Sequence, residues 1–560
     1  MSNLDDANLE KTNSGIAEQK DPTPVQEHEI DEEELKARIR EEASSVYNEE
    51  TRKNQLRFSK LIQLGYSSTK AAALMLLAAI IALIIANTGA YEPFLEIIET
   101  EVGFIFGNTH AAMSIAEVIN DIFMAIFFLL VGLEIKYEMT AGELTNIRQA
   151  LLPIIAACGG VLAPIVIYTL FNLGNADSGH GWGVPTATDI AFALGILALL
   201  GNRVPNGVRV FLSTLAVADD IIAIIIIAVF YGQTPSLFWL ACAAGVMVVL
   251  VIMNRLHVYA IPPYLLVGVV LWYCVFMSGV HSTIAGVLLA FTIPSGSRVN
   301  LRSFISWSGE AVQKVADAYQ PEVPVSSQGN YLEAVSHFAR IARQTVPPAT
   351  RLERKLYPWV YFGILPLFAL TNADVSFLGG DLGAMVTSPV FFGVFFGLLA
   401  GKPIGIMLFS FIVIKTKLAS LPENVNWIHM LGSAILGGVG FTMAIFVANL
   451  AFPAHPELIV NAKVAILSAS TLAGVIGFVF LFLQAKAAHA QGVAYLTTSA
   501  DDVRQTAGVE AARHSNEILE QIDSPLVRGE IEAAQKESGN LRAEVVVDLG
   551  TDNERSDLEE

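Results

Sequence analysis

Five ionisable residues lie inside long apolar runs of this 560-residue chain: Asp121, Asp189, Asp219, Asp220 and Lys402. An ionisable group at the centre of a bilayer costs about 2.5–3.5 kcal/mol on insertion scales, so such a residue is a functional candidate by default. Asp219 and Asp220 are adjacent, and on a helix they point about 100° apart. They can flank one site, but they cannot face it identically. Burial and like charge both favour protonated carboxylates, and a nearby lysine opposes this. The group is therefore suited to exchanging protons for a cation. Sodium fits, because hard cations take oxygen ligands, which carboxylates, Thr hydroxyls and free carbonyls supply. Four acids against one base make the cavity cation-selective.

Those residues need a membrane around them, and the composition supplies it. The chain is 53% hydrophobic and 16% charged, with a formal net charge of −19. An average soluble domain carries about 25% charged residues, and disordered acidic chains are poor in apolar residues. Both classes are excluded as a description of the whole chain. Residues 1–67 hold 15 acids and 9 bases, and residues 488–560 hold 16 acids and 6 bases. The 420 residues between hold 22 acids and 19 bases, so the charge sits on the tails and the apolar mass in the middle.

A membrane helix needs about 20 apolar residues. Twelve stretches qualify: 69–88, 114–133, 149–171, 184–200, 210–231, 236–254, 260–277, 279–293, 358–376, 387–414, 427–450 and 462–485. Gaps on one side (89–113, 172–183, 232–235, 278, 377–386 and 451–461) have no Lys or Arg. The others hold them, from Arg52, Lys53, Arg57 and Lys60 through Lys136, Arg148, Arg203, Arg209, Arg255, Lys415, Lys417 and Lys486. This positive-inside pattern predicts both termini in the cytoplasm and an even number of spans. Lys463, at an outer end, is the exception. The sequence thus predicts an all-α integral membrane protein of about 12 transmembrane helices.

At about 1.5 Å per residue, Asp219 lies roughly 15 Å, Asp189 roughly 16 Å, Lys402 roughly 18 Å and Asp121 roughly 20 Å from the cytoplasmic end of its span. All five residues are thus expected near the midplane. Two spans are interrupted. One opens with Pro185, Thr186 and Thr188 beside Asp189, and another carries Gly437, Gly438 and Gly440 before Thr442. Broken membrane helices are tolerated where they line a cavity. Two three-span units of opposite topology, each with a broken middle helix, are the mark of inverted-repeat transporters with two crossing broken helices. The half-helix ends leave partial charges, which Asp189 (positive ends) and Lys402 (negative ends) can balance.

Outside the 68–487 membrane domain, residues 31–50 form a charged helix with Glu32 and Lys36 four apart. Residues 54–64 form an interfacial helix presenting Phe58, Leu61 and Ile62. Residues 296–350 are an amphipathic cytoplasmic insertion with a Pro-Glu-Val-Pro turn, and 500–560 an acidic, partly disordered tail. Cys158, Cys242 and Cys274 have no metal-ligand spacing and read as small core residues.

The stretches 120–138 (NDIFMAIFFLLVGLEIKYE), 186–205 (TATDIAFALGILALLGNRVP), 215–231 (LAVADDIIAIIIIAVFY), 278–294 (SGVHSTIAGVLLAFTIP), 365–376 (LPLFALTNADVS), 397–406 (GLLAGKPIGI) and 437–452 (GGVGFTMAIFVANLAF) follow a known order. In them the chain resembles the NhaA-type sodium/proton antiporters of bacterial inner membranes, from about residue 56 to 487. The resemblance implies electrogenic exchange of one Na⁺ or Li⁺ for two H⁺, pH regulation, no cofactor, and membrane lipid, Na⁺ and H⁺ as partners. It implies that Asp220 is the principal ion-binding aspartate and that Asp219 carries a proton and pairs with Lys402. It places Asp189 and Thr188 at the crossing of the broken helices. Glu134, Glu138 and Glu353 become acids of a cytoplasmic funnel linked to pH activation. A homodimer joined through an extracellular β-hairpin, here 99–109, is also implied. Tyr137, Arg354 and Tyr357 depart from the family pattern beside the insertion, which bears on the pH set-point and not on the exchange chemistry.

Other classes fit less well. A sodium-coupled organic-solute symporter should add aromatic or Asn/Gln residues at the midplane, and few are there. An intramembrane aspartyl protease wants its two aspartates on facing helices, not adjacent on one. A sensor would use the tails to signal. Nucleic acid is not an expected partner.

Overall fold

The computed structural model describes residues 68–490 except 107–108, 146, 233, 298, 377–381 and 423. The helices expected at 31–50 and 54–64 and the acidic tail 500–560 lie outside the described residues.

Each of the twelve apolar stretches is helical. They form α1 (Ser68–Ala86), α3 (Ile115–Thr140), α4 (Ile147–Phe171), a 3₁₀ segment (His180–Thr186) followed by α5 (Ile190–Leu199), and α6 (Asn206–Phe230). Then come α7 (Leu237–Arg255), α8 (Ile261–Met277), α9 (Ile284–Thr292) and the long helix α12 (348–372). The last are α13 (Pro389–Lys415), α14 (Trp427–Leu436) with α15 (Phe441–Ala451), and α16 (Pro456–Ala490). Among the described residues, eight helical stretches are long and apolar enough to cross a membrane, and the α14–α15 pair, bent by 48°, makes a ninth. The remaining three differ from expectation in length. α8 has 17 residues and α9 only nine, about 14 Å of rise against a hydrocarbon core of about 30 Å. α12 begins ten residues earlier than its apolar run and continues through a π-helical stretch, Val360–Ile364.

Two elements were not read as spans. α2 (Tyr91–Ile98) follows α1, and β1 (Glu101–Phe106) pairs antiparallel with β2 (Thr109–Ser114). The hairpin therefore reaches five residues beyond the 99–109 expected. It ends where Ser114 and Glu117 cap α3 reciprocally, the Glu117 N–H donating to Ser114 Oγ and the Ser114 N–H to Glu117 Oε2. The insertion is a helical hairpin of α10 (Leu301–Ala318) and α11 (Gly329–Thr345) around the turn at 321–324. Trp307 stacks on Phe338 and Tyr319 meets Tyr331, at centroid distances of 6.0 and 5.4 Å.

α6 is the most enclosed span, with 67% of its apolar window buried, and α7 the least, with 11%. α6 carries Asp219 and Asp220, so the paired acids stand on the central helix. Side chains such as Leu237, Phe238, Leu266 and Val269 form an exposed apolar surface, as a lipid-facing belt requires. Lys463, the exception to the charge pattern, has a local explanation. It donates to Asp374 Oδ1 at 2.8 Å, so its charge has a counter-ion beside it.

Small residues bring the first helices of the two repeats into backbone contact. A Cβ on Gly405 (α13) would lie 2.0 Å from the Gly159 carbonyl oxygen (α4), and one on Gly159 2.3 Å from that of Gly405. Only glycine allows this approach, a common device in membrane helix packing. Gly405→Val should cost about 1–3 kcal/mol through overpacking and lower the detergent melting temperature. Gly245→Ala, whose new Cβ meets nothing within 4 Å, should not. Equal melting of both variants with the parent would contradict this packing.

Candidate functional site

The two interrupted segments cross. The backbone N–H of Asp189 donates to the Val439 carbonyl at 2.8 Å, and Thr188 Oγ1 donates to the Gly437 carbonyl at 3.1 Å. A Cβ on Gly440 would stand 2.8 Å from the Ala187 carbonyl oxygen. The glycines let the second break lie directly on the first.

Asp189 closes both half-helices at once. Its Oδ1 accepts from the Phe192 N–H at 3.0 Å, capping α5. Its Oδ2 accepts from the Thr442 N–H at 3.1 Å and from Thr442 Oγ1 at 2.5 Å, at the start of α15. One carboxylate thus serves two helix N-termini, where orphan N–H groups and the dipole both favour negative charge. Its expected role at the positive ends matches this geometry. Thr442, the residue after the glycine cluster, contributes both its N–H and its hydroxyl to this cap.

Lys402 pairs with Asp219, as the resemblance implies, but makes no direct contact with a negative half-helix end. Its Nζ donates to Asp219 Oδ2 at 2.5 Å and to Thr188 Oγ1. It reaches the carbonyl end of α14 only through Thr188, which passes the contact on to Gly437. All four partners of this group are buried, with Lys402 1%, Asp219 3%, Thr188 4% and Asp189 2% exposed. A lone lysine in this setting would be prohibitive; hydrogen bonds and an opposite charge make it tolerable. Asp219 Oδ1 is buried with no hydrogen-bond partner, so this carboxylate retains acceptor capacity.

Asp220, on the next position of α6, lines a narrow cavity of ≈ 10 Å³ with Glu134, Thr188, Asp189, Tyr361 and Thr442. That is about the free volume one water-sized body occupies. The structure therefore gathers Asp189, Thr188, Asp219, Asp220 and Lys402 around one crossing, with Glu134 at its edge. Glu353 is buried on α12, and Glu138 lies one helical turn beyond Glu134 on α3.

Asp121 does not join them. α3 runs on to Thr140, seven residues past its expected end. Asp121 is thus about 9 Å from the Ile115 end and about 28 Å from the other. Its Oδ1 accepts from Ser282 Oγ at 2.8 Å. It belongs to a polar layer near the Ile115 end of α3 with an amide relay in which Asn449 donates to Asn372 and Asn372 to Asn120, each at 2.8 Å. Nearby, His281 meets Thr283 Oγ1 at 2.9 Å and sets its ring against Phe446.

Sequence reasoning missed three features. Tyr361 lines the cavity from a π-helical stretch, and two more π stretches hold Asp121 (Val118–Phe123) and lead into Lys402 (Gly397–Gly401). Such bulges are common at functional sites and have no single-residue signature. Lys136 is more than a marker of the charge pattern. Its Nζ donates to the Ala290, Phe291 and Ile293 carbonyls, capping the C-terminal end of the short helix α9. Its spacing from Glu134 and Glu138 was the available signal.

A helical membrane protein with ionisable side chains at the crossing of two interrupted helices is a secondary transporter by architecture. The model of the family described as Na⁺/H⁺ antiporter 1 matches residues 63–481, and the chain belongs to this family. Relatives named Na⁺/H⁺ antiporter NhaA include those of Wolinella succinogenes, 39% identical over 429 residues covering 76% of this chain and 93% of the relative. That of Helicobacter pylori strain J99 is 42% identical over 414 residues, 73% and 92% of the two chains. That of Oleidesulfovibrio alaskensis is 43% identical over 410 residues, 73% and 90%. A solved sodium proton antiporter from Methanocaldococcus jannaschii gives a TM-score of 0.38 at 15% identity, covering 76% of this chain and 94% of that one, a likeness too slight to carry weight.

Replacing Asp189 tests the double cap. Asp189→Ala leaves the Phe192 and Thr442 N–H groups without acceptors, at about 1–3 kcal/mol each. Asp189→Asn keeps one carbonyl acceptor. Melting in detergent should fall in the order parent, Asn, Ala, and an alanine variant as stable as the parent would rule out the cap.

Proposed function

We propose that this protein is a sodium/proton antiporter that exports Na⁺ or Li⁺ from the cytoplasm, one cation against two protons, by alternating access at Asp219 and Asp220. The observation that carries the reading is the buried Lys402–Asp219 pair beside Asp220, at the point where Asp189 and Thr188 tie the two broken helices together. The cation is the cargo, and its oxygen ligands come from Asp220 and Asp219 with Thr188 adjacent.

The steps follow from charge accounting. With the site empty of cation, Lys402 holds one oxygen of Asp219. An entering cation meets Asp220 and the remaining acceptor capacity of Asp219. It competes with the ammonium group, which lets go. Two protons leave as the cation binds, one from Asp220 and one from the Lys402–Asp219 pair, since the carboxylates cannot hold both cation and protons at once. After the protein reopens on the other side, the cation departs and two protons reload Asp220 and the Lys402–Asp219 pair for the return. The crossing is the hinge of this motion, because each half-helix ends there and neither continues as a rigid rod.

The same reading places the protein in the inner membrane with both termini in the cytoplasm, as the Lys/Arg alternation implies. The hairpin Glu101–Ser114 joins two copies. Glu134, Glu138 and Glu353 line the cytoplasmic approach and adjust the pH response. The protein performs transport and no enzymatic turnover.

Asp220→Asn in proteoliposomes should abolish Na⁺-driven proton flux, and full flux in that variant would refute the site. Lys402→Ala should lower stability by about 3–5 kcal/mol, because it strands a buried carboxylate. Double replacement with Asp219→Asn should recover part of that loss, as measured by detergent melting.

A further inference from the structure

A second cavity lies away from the ion site, where the insertion meets the membrane helices. It has a volume of ≈ 600 Å³, within the range of about 300–1,000 Å³ typical of small-molecule sites. α11 contributes Arg340 and Arg343 to one wall. The first turn of α12 contributes Arg351, and the loop after α7 contributes His257 and Tyr259. None of the cavity's ten lining residues is acidic.

Arg351 is the built element. One terminal nitrogen donates to the Tyr259 carbonyl at 3.0 Å, while its Nε is buried with no hydrogen-bond partner. Burial and the neighbouring Arg343 charge both hold its guanidinium below the ordinary value. Among the described ion pairs none involves Arg340, Arg343 or Arg351. The loop holds its shape at some cost. His257 sits at φ 55°, in the left-handed region, while the Val258 N–H donates back to the Met253 carbonyl at 3.1 Å. That conformation costs a non-glycine residue roughly 1–2 kcal/mol. It places His257 and Tyr259 side by side, ring centroids 6.5 Å apart.

Three guanidinium groups without carboxylate partners around one cavity are set for an anion with several planar acceptor edges. Guanidinium forks bind phosphate oxygens bidentately. We propose that this cavity binds a phosphate-bearing anion, clamping the α10–α11 insertion to the start of α12. The chemistry is shared by a soluble phosphate compound and an anionic lipid headgroup, and the volume admits either. α12 continues from Arg351 to Tyr361, about 15 Å along one helix, and Tyr361 lines the ion cavity. Occupancy of the clamp therefore bears on exchange. That consequence rests on the antiporter reading, whereas the binding itself does not.

The test uses the full-length protein. Pyrophosphate binding is followed by titration calorimetry in phospholipid-free detergent. Thermal stability is compared in nanodiscs of phosphatidylcholine with and without phosphatidic acid. The Arg340→Gln/Arg343→Gln double variant changes only exposed positions, and should keep the parent's Na⁺-driven flux in phosphatidylcholine. Saturable pyrophosphate binding, weakened at least tenfold in the double variant, identifies a soluble ligand. Stabilisation by phosphatidic acid alone, lost in the double variant, identifies a headgroup. Ser336→Glu, which places a negative charge in the cavity wall, should weaken the same signal. If neither probe distinguishes parent from double variant, or if Ser336→Glu leaves the signal intact, the proposal fails.

Discussion

A lysine with 1% exposure in a membrane domain is the constraint from which the rest of this structure follows. Lys402 cannot stay charged there without an acceptor, and Asp219 provides one at 2.5 Å. A buried ion pair of this kind is not a source of stability, since a well-packed apolar pair of the same volume does as well or better. Its use lies in being breakable. In the proposed cycle a cation that arrives at the acids displaces the ammonium group from Asp219. Thr188 extends the pair to the Gly437 carbonyl, which ties the state of the lysine to the end of a half-helix.

The fold supplies the conditions for that exchange. Glycines at 159 and 405 draw α4 and α13 into backbone contact, and this sets where Lys402 enters the centre. The second break lies on the first because Gly440 has no side chain to keep Ala187 away. Asp189 then holds the positive ends of both α5 and α15. Its charge is committed to structure, and this separates it from Asp220, which faces the small cavity with Glu134 and Tyr361. Two aspartates that line one cavity thus differ in surroundings, Asp189 alone being seen to accept from the Phe192 and Thr442 backbone N–H groups.

Much of this was legible in the residues. Apolar length located all twelve helical segments, and Pro185 and the Gly437–Gly440 cluster marked both breaks, because these depend on local chemistry alone. Asp219, Asp220 and Lys402 stood out because charge in an apolar run is rare. The failures come from tertiary context. Asp121 was placed at the midplane because α3 was ended at its last strongly apolar residue, whereas Lys136 and Glu138 continue the helix against α9. Lys463 looked misplaced until Asp374, 89 residues away, appeared beside it. The π stretches around Asp121, Tyr361 and Lys402 left no mark in the sequence, since backbone register is set by packing. The apposition of α11 with the loop after α7 was likewise invisible, because it joins an insertion to a segment some 80 residues earlier.

Exchange at Asp219 and Asp220 requires that cation and protons compete for the same oxygens. Sodium titrations of the purified protein in two buffers of different ionisation enthalpy, at matched pH, count the protons released for each cation bound. The account predicts net proton release on Na⁺ binding, with apparent affinity falling as pH is lowered. Sodium binding with no proton release across the pH range would contradict it.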